Sequence, residues 1–398
     1  MNALSGSPMS PSKTTQTRQI LALTVAGFIF QTTEFVPVGL LSDITTEFHM
    51  SVEGTGWMLT IYAWIVASLS LPLIILTRKI ERKQLMIGVF ILFIFSHIFS
   101  FCAGTFEQLL FSRIGVAVAH SLFWSMTANL AIRLVPPERK PFALSMIATG
   151  TSLALILGVP VGRILGQFFS WRVAFVAIAI MALLVLLALI RLLPVLPSTF
   201  KGSVRQVSEL FRSRLLLLLY LFTFLVFVSH FTTYSYIEPF LKNVGHYAEN
   251  SVTLFLLLFG VAAMVGSFLF SRICRYFSPK ARFICFTGIV LCSMSLLPSL
   301  VSSVPLLFML IMIWGSTRIM MMLCLQSAVL STNDKGGDFV MAVFSSIVNI
   351  GIGGGALIGG NVIREYGLTN IAYVSVAIGA AAIFVLYLIL SKSDGELS

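Results

Sequence analysis

The chain of 398 residues is 58% apolar and 10% charged, with a formal net charge of +11 and a mean hydropathy of +0.98. A soluble domain has about a quarter of its residues charged, so this composition excludes a soluble fold and leaves no room for a separate catalytic domain. The five cysteines (Cys102, Cys274, Cys285, Cys292, Cys324) lack disulfide or metal-ligand spacing and read as small packing residues. Walker-type, HExxH, GxSxG and CxxC motifs are absent, so no enzyme chemistry, cofactor or metal is expected.

Residues 1–18 are a polar tail rich in Ser and Thr, with the composition of a disordered segment. Apolar runs of about 20 residues, enough to cross a bilayer, then fall near 19–41, 56–77, 85–104, 107–133, 142–167 and 171–193. A basic linker with Pro194, Pro197 and Gly202 occupies 194–214. Six further runs lie near 215–237, 252–272, 283–301, 305–330, 339–363 and 369–391, and 392–398 form a second tail. The expected fold is an all-α membrane protein of twelve transmembrane helices, in two pseudo-symmetric six-helix halves at 19–193 and 215–391.

Charge alternates from loop to loop. Arg78, Lys79, Arg82 and Lys83 follow the second span, and Arg133, Arg139 and Lys140 the fourth. Arg191, Lys201, Arg205, Arg212 and Arg214 follow the sixth, and Arg272, Arg275, Lys280 and Arg282 the eighth. The intervening loops carry Asp43, Glu47, Glu53, Glu107 and Glu249. The positive-inside rule puts the basic loops and both termini in the cytoplasm. The basicity is therefore a topology signal rather than a nucleic-acid footprint.

Polar residues inside the spans carry the functional reading. The first span holds Gln31, Thr32, Thr33 and Glu34. An ionisable side chain at the bilayer centre costs about 2.5–3.5 kcal/mol on insertion scales, so Glu34 either reaches the outer interface, pairs with a neighbour, or serves as a proton carrier. In the second span Tyr62, Trp64 and Ser68 offer aromatic faces and hydroxyls, which suit a sugar ring and also an interfacial belt. The fourth span sets Arg113, His120, Trp124 and Thr127 on one helical face. That face must look into the bundle. Arg113 stays charged and either tunes Glu34 or binds a polar group. His120 either carries a proton or is a hydrogen-bonding residue.

The fifth span contains Gly150, Gly158, Gly162 and Gly166, the last three at four-residue spacing, which lets a neighbouring backbone approach. Pro160 should kink this helix. Gly158 and Gly162 recur 197 residues later as Gly355 and Gly359. Arg113 recurs as Arg318 at an offset of 205, and Ala174-Phe175-Val176 as Ala372-Tyr373-Val374 at 198. Order and spacing agree with a duplicated bundle. In the seventh span His230, Tyr234 and Glu238 step by four, with Glu238 expected at the solvated outer edge. Trp314 and Arg318 share a face of the tenth span, before a run of soft packing residues, Met320 to Met322. Ser345 and Asn349 share a face of the eleventh.

Twelve spans, a basic central linker and two related halves resemble the major facilitator superfamily over nearly the whole chain. The stretch from Gly150 to Gly166 is similar to that superfamily's antiporter motif, and Ser170-Trp171-Arg172 with Phe175 fits the residues usual after that motif. Arg113 matches the motif arginine of the fourth helix, with Ala117 in place of the usual glycine. The loop from Thr77 to Lys83 keeps the basic half of the second-to-third loop motif and lacks its Asp and Gly.

More narrowly, the string from Thr32 to Ile44 and the string Tyr234-Ser235-Tyr236-Ile237-Glu238-Pro239-Phe240 resemble the SotB-type bacterial sugar efflux transporters. The resemblance implies a monomer in a Gram-negative inner membrane, surrounded by lipid, that exports arabinose-like or isopropyl-thiogalactoside-like solutes against protons. It equally implies a multidrug/proton antiporter with drug-like substrates. Proton coupling is expected at Glu34, Arg113 and His120. Substrate contacts are expected at Gln31, Tyr62, Trp64, Trp124, His230, Tyr234, Glu238, Arg318, Ser345 and Asn349.

Overall fold

The computed structural model describes residues 12–197, 213–273, 276–332 and 337–392. Most of the predicted N-terminal tail, the linker cations Lys201, Arg205 and Arg212, Cys274, Arg275 and nearly all of the C-terminal tail lie outside the described residues. Among the described residues, twelve helices are long and apolar enough to cross a membrane.

The first half comprises α1 (Lys13–Gly39), the short α2 (Leu41–Glu47), α3 (Val52–Leu76), α4 (Arg82–Cys102), α5 (Phe106–Arg133), α6 (Lys140–Leu153) with α7 (Val159–Phe168), and α8 (Trp171–Leu192). The second comprises α9 (Arg214–Tyr234), the short α10 (Ile237–Asn243), α11 (Glu249–Ile273), α12 (Pro279–Leu300), α13 (Val304–Ser331), α14 (Gly337–Tyr366) and α15 (Ile371–Lys392). An even number of crossings leaves residues 12 and 392 at one end of the bundle, here the terminal end. The opposite, distal end carries α2 and α10.

Helix α1 starts before the apolar run because Ser12 caps it, its Oγ accepting from Thr15 N at 3.2 Å. Side-chain caps also start α3 at Ser51 and α9 at Ser213. Glu81 caps α4 by accepting from the Lys83 and Gln84 N–H groups, both at 2.9 Å. It also accepts from Leu196 N at 2.6 Å, which ties the start of the inter-half connection to α4.

The halves repeat one packing scheme. In the first, α1 lies against α6 and α8, α3 against α5, and α4 against α5 and α8. In the second, α9 lies against α14 and α15, α11 against α13, and α12 against α13 and α15. Lipid tails are as apolar as leucine, so close van der Waals packing rather than a hydrophobic drive holds such helices together. Glycine supplies that closeness. A Cβ at Gly158 would lie 2.7 Å from Thr32 Oγ1, and one at Gly162 2.9 Å from Val36 on α1. The equivalents Gly355 and Gly359 sit 2.7 Å from Val228 O and 2.5 Å from Thr232 O of α9 by the same measure.

The expected break in the fifth span is present, and its form is a π turn. Residues Ala154–Gly158 are π-helical between α6 and α7, immediately before Pro160. A proline lacks an N–H and crowds the preceding turn, and one inserted residue relieves both. Of the cysteines, Cys102, Cys285 and Cys292 lie on the outside of the bundle, and only Cys324 of those described is buried. The packing role read from sequence fits that one alone.

Candidate functional site

The two halves meet along α3 against α14 and along the π turn and α7 against α11, with α2 and α1 touching α10. The close approaches run from the distal end to mid-span. A Cβ at Gly360 would meet Glu53, one at Gly353 would meet Trp64, and one at Gly260 would meet Ile156. At the distal end Ser42 of α2 and Arg163 of α7 also hold Glu238 of α10 across the two halves. The bundle is thus closed distally.

Below that closure, the first half brings four of the predicted residues into one hydrogen-bonded group. Glu34 Oε2 accepts from Gln31 Nε2 at 2.7 Å and lies 3.9 Å from His120 Nε2. The Glu34 side chain is 9% exposed and that of His120 4%. The other ring nitrogen of His120, Nδ1, is 2.7 Å from the Tyr62 hydroxyl. Helices α1, α5 and α3 each contribute at least one member, so the group exists only because these spans pack together.

Arg113 lies beside this group. Its guanidinium stands 4.5 Å from the centre of the Tyr62 ring, and Nη2 donates to Thr33 O at 3.0 Å. Its Nε and Nη1 are buried without hydrogen-bond partners. Arg113 therefore reaches Glu34 through Tyr62 and through space rather than by a direct ion pair. Trp124 packs edge-on against His120, with ring centres 6.1 Å apart.

Sequence reasoning missed His97. This buried residue of α4 shares a 2.7 Å hydrogen bond with Thr33 Oγ1 and stacks on Phe175. A lone histidine in an apolar run was the available signal.

The second half supplies an aromatic cradle with one cation. His230 stacks on Tyr234, with centres 5.1 Å apart and planes at 18°, and meets Trp314 edge-on at 5.5 Å. Phe259 lies 4.9 Å from Tyr234. Arg318 stands over Phe227 at 5.3 Å and Phe231 at 5.7 Å. A cavity lies between the halves, lined by Phe35 and Leu155 from one side and by Phe231, Tyr234, Phe259, His230 and Arg318 from the other. Arg318 and Arg113 both act electrostatically on Glu34, which adjoins Phe35. A second cavity lies among α9, α12, α13 and α15, and shares His230 and Arg318 with the first.

Of the predicted substrate contacts, His230, Tyr234 and Arg318 line these cavities, Gln31, Tyr62 and Trp124 lie with the Glu34 group, and Trp64, Glu238, Ser345 and Asn349 stand apart from both. Trp64 lies in the α3–α14 seam, its indole N–H donating to Ile350 O at 3.3 Å. Ser345 is exposed, and Asn349 turns back on its own helix to donate to Ser345 O at 3.0 Å.

The expectation of a solvated Glu238 is corrected by the structure. Glu238 is fully buried and accepts from Ser42 N at 3.1 Å, Ser42 Oγ at 2.6 Å and Arg163 Nη1 at 2.8 Å. The short helix α10 folds the carboxylate back between the halves, where paired charges replace water. Arg163, also fully buried, donates in addition to Gly39 O at 2.7 Å and to Glu249. It is the second residue missed from sequence, lying inside the glycine motif and read there only for its neighbours.

The sequence model of the Major Facilitator Superfamily matches residues 23–337. Among solved structures, the chain is similar to a bacterial homolog of the human lysosomal transporter Spinster in an inward-facing and unoccupied conformation. The identity is 18%, over 95% of this chain and 98% of that one, with a TM-score of 0.75. It is also similar to a D-xylose-proton symporter, at 16% identity over 93% of this chain and 97% of that one, with a TM-score of 0.69. A third similar structure is the nucleoside transporter NupG, at 12% identity over 94% of this chain and 98% of that one, with a TM-score of 0.76. At these identities the likeness is one of fold.

Proposed function

The chain belongs to the Major Facilitator Superfamily, and we propose on that premise that it is a secondary transporter exporting small sugars or sugar-like solutes in exchange for inward-moving protons. The observation that carries this reading is Glu34, a carboxylate inside the bundle 3.9 Å from His120 and next in sequence to Phe35 of the cavity wall. A carboxylate there can hold a proton in one state and release it in another, and the facing Arg318 can trade places with that proton electrostatically. Tyr234, Phe231 and Phe259 offer flat aromatic faces to the apolar side of a sugar ring, while His230 and Arg318 offer hydrogen bonds to its hydroxyls. The similar D-xylose-proton symporter is a case of this fold moving a sugar with a proton.

The architecture supports a cycle of alternating access. Rocking one half on the other opens the cavity first to one side and then to the other. The basic terminal-end loops support a cytoplasmic position for that end and for both termini, and a monomer in a bacterial inner membrane suffices for the cycle. A proton entering down 100 mV releases about 2.3 kcal/mol, enough for a roughly fortyfold gradient of a neutral solute at one-to-one coupling.

The apolar second cavity, with Met321, Met322 and Leu291 in its wall, favours a second reading as a multidrug/proton antiporter. Efflux of labelled sugars and lipophilic cations from proteoliposomes, with and without a pH gradient, separates the two. Sugar efflux that depends on the gradient supports the first reading, and cation efflux with sugars unmoved supports the second.

A further inference from the structure

The distal closure carries a charge imbalance that the cavity residues do not explain. Arg163 on α7 bridges Glu238 on α10 and Glu249 on α11, and Lys242 on α10 pairs with Glu249 at 2.5 Å. The partners that hold Glu238, namely Arg163 and Ser42, belong to the opposite half. These bonds therefore exist only while the distal end is shut.

Asp43 completes the cluster. It follows Ser42 on α2, and its Oδ2 is buried with no hydrogen-bond partner, against the backbone of Gly166. The charges acting on it are Arg163 from α7, Lys242 from α10 and Glu249 from α11. On its own helix, Glu47 is already matched by Arg172 of α8 and by the indole N–H of Trp171. Arg163 and Lys242 thus face Glu238, Glu249 and Asp43, two cations against three carboxylates. The closed cluster is neutral only when one carboxylate carries a proton. Glu238 and Glu249 are engaged by cations, and Asp43 has the unpartnered oxygen.

We propose that closing the distal end takes up one proton on Asp43, so that this gate is a proton-linked element distinct from Glu34. The inference rests on the proposed parting of the two halves, and is independent of the identity of the solute. Burial raises the Asp43 carboxyl above its ordinary range, and the opposing pull of Arg163 and Lys242 does not cancel it. With the halves apart the same carboxyl meets water and returns towards about 3.9. The closed state therefore binds the proton more tightly. Its proton-linked stabilisation is complete below the ordinary value and is lost as pH rises through the raised one. A proton arriving from the distal side would then promote the closure that passes the transporter to its terminal-side-open form.

The test reads the distal separation directly. Spin labels are placed through introduced cysteines at Glu107 and Ser302, exposed distal positions in different halves, in a chain whose native cysteines are replaced by alanine. Double electron–electron resonance then gives the distance between them in detergent. The short distance should dominate at low pH and give way to a longer one as the pH rises, with a closed-to-open ratio changing by up to about tenfold per pH unit for one linked proton. Asp43→Asn should stay short throughout, and Asp43→Glu, which keeps a titratable carboxyl, should respond to pH as the parent does. A parent that ignores pH, or Asp43→Asn retaining the parent response, overturns the proposal. If the parent ignores pH but Glu238→Gln lengthens the distance, the halves part without an Asp43 proton. If Arg163→Gln combined with Glu238→Gln leaves the distance short under every condition, the parting of the halves itself fails.

Discussion

Glu34, His120 and Tyr62 lie within a few ångströms of one another while coming from three helices, and each single change asks a different question of them. Tyr62→Phe keeps the ring beneath Arg113 and removes only the 2.7 Å hydroxyl contact with His120. It should cost about 1 kcal/mol of stability, the usual net worth of one hydrogen bond, seen as a lower melting temperature in detergent. A transport defect much larger than that stability loss would place the hydroxyl in the proton path. Sequence alone offered Glu34, Arg113 and His120, because a charge in an apolar run is visible in one dimension. The Arg163–Glu238 pair was not legible in that way, since it joins positions 75 residues apart whose partnership depends on how α10 folds back. For the same reason Glu238, beside Pro239 at the end of its span, looked solvated and is not.

At the scale of the helix, the glycine stripe decides how near the fifth span lies to α1. Gly158→Leu would drive a side chain into Thr32, where even a Cβ lies 2.7 Å from Oγ1. Overpacking of this kind costs about 1–3 kcal/mol or more, and the variant should lose transport or fail to accumulate in membranes. Leu157→Ala is the control, because Leu157 is 41% exposed at the bundle surface and its truncation should leave both nearly unchanged. Measuring membrane abundance beside transport separates assembly from function, and a fully active Gly158→Leu would contradict the close packing of α1 on this stripe. The four-residue spacing and its recurrence at Gly355 and Gly359 made this contact legible in the sequence. The π turn was not, because a proline announces a break in a helix without specifying whether the chain bends or takes up an extra residue.

For the whole molecule, hydropathy and loop charge fix most of the architecture, since a bilayer admits few alternatives to a bundle of apolar helices. Orientation is open to a direct check. A cysteine introduced at Lys79, on the terminal-end loop between α3 and α4, should resist a membrane-impermeant thiol reagent added outside intact cells. One introduced at Ser302, at the distal end, should react, and the reverse pattern would invert the topology.

The proposed proton coupling belongs to this scale too, because it would require the Glu34 group and the Arg318 cavity to face one another across the two halves. The measurement that bears on it most directly compares the parent chain with Glu34→Gln in proteoliposomes, with labelled sugar tracked under an imposed pH gradient and in its absence. The glutamine keeps the volume and the hydrogen-bonding reach of the carboxyl while fixing it without charge. With Glu34 as the proton carrier, Glu34→Gln should still exchange sugar for sugar across the membrane but no longer move it uphill when the pH gradient is applied. Gradient-driven uphill transport by Glu34→Gln at the parent rate would contradict that role.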